Sequence, residues 1–559
     1  MRWLPCLLVM VSACGGDEGP FIIVTIDARP AVHDIRSLTV TLSNEGAARE
    51  DTFQVGSDDF PATFSISAPG RLGQLGISVD ARDQTGILVG RGDVDTSLDL
   101  LDATVVLDSA DFVVNTEFAD DQFPSNDFEA NGFQLGAGTD GTWTAVYRDT
   151  CIPSCNMFAR RFDETGTAIE SAIPAGPQGF EASSELTTGG AIPAVATSGT
   201  TTAVVWDFFE PAPGTTDGIA CRTFDAAGNP SGPQVAVSIE TLADVVSVAP
   251  LPSSSFVLQW NAFMTANTIK TATVNAQCQP ANVVQVSTTP GTSGASRGSV
   301  ATNGDRILYA WIIDNAVRGR VATATPFAFL NSTDIPLVAK TATEQIEHVR
   351  VAPLGTGFAI VVRWALTGMS SGAGRLELYR VNNTGALMGG PTLISNRSGS
   401  DFESKKSFGV ASRDDGALLV VWHACDANGD GSGCGVFGRV LRPSGVPVGD
   451  EFVLATTTEL DQTNPSAIAI PGAFATMWQD LSGQDPDKSG SAARARIVYP
   501  AFDDAKLVLG ATCTAAAECG TGLTCGASSE GGQRCFATCT PGAGACPGGG
   551  TCSGNACVF

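Results

Sequence analysis

Asp426, Asn428 and Asp430 stand at alternate positions in a run that ends in Gly431 and Ser432. Alternating oxygen-bearing side chains before a sharp glycine turn suit a hard cation such as calcium, on which carboxylate and carbonyl oxygens must converge. The closing bidentate glutamate is missing, because Phe437 stands at the twelfth position. A solvated acidic turn satisfies the same pattern, and we read the segment that way. No cofactor is therefore expected, with a structural calcium on Asp426, Asn428 and Asp430 as the alternative. Asp207, Asp314 and Asp480 lie near the ends of expected strands and are the candidates for a carboxylate acid–base pair. Such a pair acts on a glycosidic bond only if folding sets the two groups about 5–9.5 Å apart. Histidine is sparse: His33 in a polar connector, then His348 and His423. Gly368-Met369-Ser370-Ser371-Gly372 spells Gly-x-Ser-x-Gly, but it follows Trp364 in a loop and lacks the strand-to-helix elbow that exposes a nucleophile. There is no His-Glu-x-x-His and no phosphate loop. Sequence alone assigns no catalytic residue.

The elements that must position these residues form a repeat. Trp206, Trp260, Trp311, Trp364, Trp422 and Trp478 fall 51 to 58 residues apart, and Tyr147 stands one unit earlier. Upstream of each lies an alanine: Ala137, Ala196, Ala249, Ala301, Ala352, Ala411 and Ala469. Tight turns such as Thr139-Asp140-Gly141 and Asp414-Asp415-Gly416 separate alanine from aromatic, so each unit opens with a hairpin. A third and a fourth short apolar run follow. Four antiparallel strands repeated at this period predict a seven-bladed β-propeller over residues 125–510. Small residues fit the crowded axis, and the tryptophans fill the space between diverging sheets, so we read the aromatics as core and not as sugar-stacking platforms. The connections between second and third strands, and between blades, are the long ones. They share one face, which is where a binding surface is expected. Residues 21–112 alternate apolar and polar residues in short runs and predict a β-sandwich of immunoglobulin-like or transthyretin-like type. The fold class expected is all-β, with sandwich, propeller and a small disulfide-rich module at 511–559. The strand that closes the ring is open between residues 112–124 and 506–510.

The chain has 559 residues and a net charge of −26, which excludes nucleic acid as a partner because phosphates would be repelled. Arg2 precedes an apolar run from Trp3 to Val11, too short to span a bilayer and suited to a signal peptide at 1–13. Val11-Ser12-Ala13-Cys14 resembles the bacterial lipobox. The resemblance implies that Cys14 carries the lipid anchor, with 14–20 as a tether, and Gly15 after it implies the outer membrane. Removing Cys6 with the leader and committing Cys14 to lipid leaves an even number of the 16 cysteines, as expected for disulfides in an exported chain. Cys151 with Cys155, and Cys425 with Cys434, are local staples, and Cys221 with Cys278 joins adjacent units. Cys513, Cys519, Cys525, Cys535, Cys539, Cys546, Cys552 and Cys557 sit among glycine, alanine and threonine, where only disulfides could hold shape, in a pairing that spacing does not reveal.

Strands such as Gly435-Val436-Phe437-Gly438-Arg439-Val440, followed by Pro443-Ser444-Gly445, resemble the degenerate propeller repeats of myxobacterial-type surface lipoproteins. The terminal cysteines are similar to Dickkopf-like or EGF-like knots on such proteins. The Gly-His and Trp-Asp pairs of WD repeats and the Ser-x-Asp-x-Gly-x-Thr-Trp boxes of sialidases are absent. The expected function is a lipid-anchored, non-catalytic envelope protein, periplasmic or surface-facing, whose loop face binds a protein or polysaccharide. The alternative is a polysaccharide hydrolase or lyase using acids on that face.

Overall fold

The computed structural model describes residues 21–500 except 57–58, 116–133, 149–156, 170–179, 182–192, 209–216, 240–242, 263–267, 289–297, 340, 342, 367–373, 396–407, 426–428 and 489, together with short strands at 523–527, 533–537, 551–553 and 556–558. Every regular element among the described residues is a strand. No helix among them is long and apolar enough to cross a membrane.

Seven strands come first: β1 (Phe21–Ala28), β2 (Ser37–Asn44), β3 (Ala47–Gln54), β4 (Ala62–Ser67), β5 (Gln74–Arg82), β6 (Leu88–Ser97) and β7 (Asp102–Ser109). They hydrogen-bond in the order β3-β2-β5-β6-β7-β1-β4. β7 runs parallel to β1 through Asp102–Leu107 but meets β6 only at Asp108 and Ser109. That brief handover lets the path fold over one core of Ile22, Val24, Leu38, Val40, Val79 and Val105. The period-2 alternation is explicit in β1, whose Ile22, Val24 and Ile26 are buried between exposed or half-buried neighbours. β3 was not legible from patterning. Its sequence, AAREDTFQ, lies at the sheet edge and is mostly exposed, so no apolar alternation is required of it.

The remainder of the described body is a ring of seven antiparallel sheets, a seven-bladed β-propeller. The innermost strands are Gln134–Ala137, Pro193–Ser198, Ala243–Leu251, Gly298–Asn303, Glu344–Leu354, Phe408–Ser412 and Gln462–Ile470. Each repeat alanine sits on its blade's innermost strand, and each of the six regularly spaced tryptophans on the second strand. All six are buried between blades. Trp143, outside that spacing, instead stacks on Phe162 at 4.3 Å near the first hairpin and donates from Nε1 to the Asp163 carbonyl at 2.8 Å.

The ring is closed from its N-terminal side. The strand β8 (Phe112–Val113) is the fourth strand of blade 7, with Val113 opposite Arg494 and Phe112 opposite Ala495. Phe112, placed at the end of the sandwich by sequence, thus serves the propeller. Around it, Val114 N donates to the Ala493 carbonyl at 2.7 Å, and Ser109 Oγ to the Ile497 carbonyl at 2.9 Å. Arg160 of blade 1 donates to the Val114 carbonyl at 2.7 Å, so one segment seals the seam between first and last blades.

Many turns after third strands share one device. Oδ1 of Asp163, Asp225, Asn275 and Asn382 accepts the backbone N–H groups two and four residues on. The fourth position takes a left-handed backbone: Gly166 at φ +85°, Gly228 at +82°, Gly385 at +89°, but Cys278 at +56° in blade 3. There the thiol reaches back to Cys221 on the third strand of blade 2, and the two form a disulfide with Cα atoms 5.8 Å apart. Cys425 and Cys434 also form a disulfide, around the blade 6 loop. Converting Cys221 and Cys278 to serine is expected to cost about 2–4 kcal/mol, because the cross-link restricts a long loop in the unfolded chain. Thermal unfolding under non-reducing conditions measures it, and an unchanged Tm would show that the bond does not stabilise the ring.

Candidate functional site

The first strands begin, and the second strands end, on the face that carries the interblade connections. Two connection lengths depart from expectation. Blade 4 turns from second to third strand through Asp314 and Asn315 alone, both with positive φ, the tight primed-type geometry of a hairpin. Conversely, third-to-fourth connections in blades 2 and 5 are long, spanning 225–234 and 382–391.

On the interblade face, polar side chains are buried under the rim of the ring. Asp207, Asn261, His423 and Gln479 each directly follow the core tryptophan of their blade, and all are buried. Gln462 opens the innermost strand of blade 7, and His348 lies near the start of that of blade 5; both are buried too. Burial of such groups demands hydrogen bonds. Gln462 Nε2 donates to the Glu459 carbonyl at 2.7 Å and to Asp480 Oδ1 at 3.1 Å. Gln479 Oε1 accepts from Thr463 Oγ1 at 3.2 Å and Asn464 Nδ2 at 3.3 Å. The innermost strands are irregular in the same region: the register shifts between Ile346 and His348, and between Thr463 and Ser466. In blade 5 the extra residue is Glu347, whose carboxylate lies 3.5 Å from Arg363 Nε. Bulges re-aim side chains where a regular strand could not. The sequence signal for this collar was available: a polar residue after the repeat aromatic, where the strand leaves the core. It was read only for Asp207.

The three acids named from sequence do not meet as one site. Asp207 is buried in blade 2, Asp314 is exposed in the blade 4 turn, and Asp480 is buried in blade 7. Asp480 is also committed. It accepts from Gln462, from Ser482 N at 3.2 Å and Oγ at 2.5 Å, and from Arg494 Nε at 2.7 Å.

Of the calcium candidates, Asp426 and Asn428 lie outside the described residues. Asp430 is described: its Oδ1 accepts Ser432 N at 3.2 Å. Burial, with the Asp461 charge adding to it, pushes its carboxyl above the usual range. Among the described residues no group of three or more His, Cys, Asp or Glu is placed to hold a metal. Cys14, Cys151, Cys155, Cys513, Cys519, Cys539 and Cys546 also lie outside the described residues. In the terminal strands, Cys525 stands opposite Cys535 and Cys552 opposite Cys557 in register.

At the centre, the innermost strands enclose a channel of about 280 Å³. Alanine, glycine, valine, serine and threonine make up most of its wall, because seven converging sheet edges leave room for little else.

Fold and site together define an all-β protein with a sandwich joined to a seven-bladed propeller. No family model matches the chain, and no curated protein matches it. Among solved structures it is similar to a polysaccharide lyase described as a PL25 ulvan lyase, with 9% identity and a TM-score of 0.41 over 68% of this chain and 95% of that one. It is similar to the GH93 α-L-arabinofuranosidase of Fusarium graminearum, with 10% identity and a TM-score of 0.36 over 54% of this chain and 89% of that one. It is also similar to the NanB sialidase of Streptococcus pneumoniae, with 9% identity and a TM-score of 0.35 over 87% of this chain and 95% of that one. The activities in those names are those proteins' own.

Proposed function

We propose that the interblade face of the propeller binds polysaccharide, on a protein held at the outer membrane through lipid on Cys14. The observation that carries the binding reading is the collar: Asp207, Asn261, His348, His423, Gln462 and Gln479, contributed by five blades, all buried at one end of the ring. Gln462 and Gln479 are held by hydrogen bonds within the protein and position this rim, which brings amide, imidazole and carboxylate groups, donors and acceptors both, to the face where a hydroxyl-rich ligand would bind. The anchor rests on the Val11–Cys14 motif.

A second reading, turnover of the bound polysaccharide, is favoured by the blade 5 bulge. It sets Glu347 beside Arg363 and places His348 in the same strand segment, groups capable of proton transfer and of stabilising a developing negative charge.

Both readings are tested by passing the full-length chain, in detergent, over a panel of immobilised neutral and acidic polysaccharides, then assaying for new reducing ends and unsaturated products. Retention on at least one matrix, weakened about tenfold by His423→Ala combined with Asn261→Ala, is expected; that loss is on the order of 1.4 kcal/mol. Absence of retention on every matrix would overturn the binding reading. Product formation abolished by Glu347→Gln would make the protein an enzyme.

A further inference from the structure

We propose that the end of the β-sandwich remote from the propeller lies against the lipid bilayer, with Phe21, Leu72, Leu100 and Leu101 seated among the headgroups. This deepens the reading of Cys14 as the lipid anchor and rests on it. Exposed apolar residues scattered singly are ordinary on a protein surface, whereas a group of them in one place marks a contact. Among the described residues, the two most exposed large apolar side chains are Leu101, at 70%, and Leu72, at 68%. Phe21 and Leu100 are each 53% exposed, and Ile23 is exposed on the same strand as Phe21. Strand pairing brings all five to one end. β1 starts at Phe21, opposite Ser67, the last residue of β4. The Ile23 N–H donates to the Leu101 carbonyl at 2.9 Å and the Leu98 N–H to the Gly73 carbonyl at 2.9 Å. The connections 68–73 and 98–101 therefore lie side by side at the start of β1. The sandwich's one other exposed large apolar residue among those described, Ile87, is at the opposite end.

That opposite end is where the propeller is attached. β1 and β7 run parallel, and beyond their last residues Arg496 Nε donates to the Ser109 carbonyl at 2.7 Å, beside the bond from Ser109 to Ile497. The eight residues of β1 set the two ends about 25 Å apart, at a rise of about 3.3 Å per residue. Chain length names the occupant of the apolar end. Only six residues, 15–20, separate Cys14 from Phe21. Fully extended, that stretch reaches at most about 25 Å. Lipid on Cys14 therefore keeps the start of β1 close to the bilayer. The chemistry agrees, since leucine and phenylalanine side chains partition into the boundary between headgroups and acyl chains. The exposed carboxylates of Asp99 and Asp102 adjoin the leucines, so attraction to anionic headgroups does not drive the contact. The sandwich then acts as a stand that holds the propeller off the surface.

The test places a fluorescent reporter at the contact. The full-length, lipid-bearing chain is reconstituted into vesicles of three parts phosphatidylethanolamine to one part phosphatidylglycerol, with and without acyl chains brominated near the headgroup. Leu101→Trp adds an indole at the apolar end, and Ile87→Trp adds one at the opposite end of the sandwich. The wild type supplies the background, its six repeat tryptophans being buried between blades. Brominated lipid is expected to quench the added emission of Leu101→Trp at least about twofold and to leave that of Ile87→Trp unchanged. The quenching should persist as NaCl is raised, as an apolar contact requires. Equal emission of Leu101→Trp in brominated and unbrominated vesicles that still float with the protein would overturn the proposal and leave the anchor reading standing. Loss of flotation would overturn both. Equal quenching at both positions, or quenching lost at high NaCl, would also overturn the proposal. A dimer in detergent that Leu72→Asp with Leu101→Asp converts to monomer would assign the patch to a second copy of the chain instead. If Leu101→Trp fails to fold, Leu72→Trp takes its place, with the same results expected and the same results overturning the proposal.

Discussion

Arg494→Met is expected to lower the stability of the propeller by about 3–5 kcal/mol, the cost of removing one partner from a buried ionic cluster. Arg494 is the hub of that cluster, which holds the ring to the chain that closes it. Its Nε donates to Asp480 Oδ2 at 2.7 Å and its Nη1 to Asp111 Oδ1 at 3.0 Å. Nη2 reaches the carbonyls of Gln484 at 3.0 Å and Asp485 at 3.1 Å. Asp111 is the residue before β8, and it also accepts from Thr456 N and Thr457 N, both at 2.8 Å, after the last strand of blade 6. All three charged groups are at least nine-tenths buried. With the guanidinium gone, two carboxylates remain in a poorly solvated seam with no cation between them. Differential scanning calorimetry measures the effect, and the propeller transition should fall by several degrees. A transition within about 1 °C of the wild type would mean that solvent enters the seam and the cluster contributes little.

Trp311→Ala is expected to cost a similar amount, about 3–5 kcal/mol. Trp311 is fully buried between blades 3 and 4, against Leu251, Val257, Ile269 and Val286. The neighbouring strands are fixed by their ladders and cannot collapse into the void, so the cavity penalty adds to the lost transfer energy. Trp311→Phe keeps an aromatic ring in place and should lose far less. The comparison distinguishes packing from a sugar-binding role: a packing tryptophan moves the unfolding midpoint and leaves polysaccharide retention unchanged once folded. Retention lost in Trp311→Phe at wild-type stability would overturn the core assignment.

The propeller was legible from residue spacing because its physics is local and repeated. Each blade must bury a wide aromatic between diverging sheets and a small residue at the axis, and it must turn tightly in between. Those demands recur every 51 to 58 residues in Trp206 through Trp478 and in the alanines ahead of them. The sandwich strands β1, β2 and β5 were legible for the same reason, since one face is buried and the period is two. β3 was not, because an exposed edge strand carries no burial pattern.

The candidate site was less legible. Asp207, His348, His423 and Asp480 could all be picked out as residue types, but strand position alone does not say which carboxylate is already spent. Asp480 looked like an acid poised at a rim, yet Arg494 and Ser482 occupy it.

By itself, the sequence determined the repeat, the blade number, the core aromatics and the pairs Cys221–Cys278 and Cys425–Cys434, all of which follow from burial and spacing within one unit or between neighbours. Only the tertiary structure decided which segment closes the ring and which acids are neutralised. Those depend on contacts across hundreds of residues, such as Ser109 with Ile497 and Asp111 with Arg494, and no periodicity encodes a contact made once.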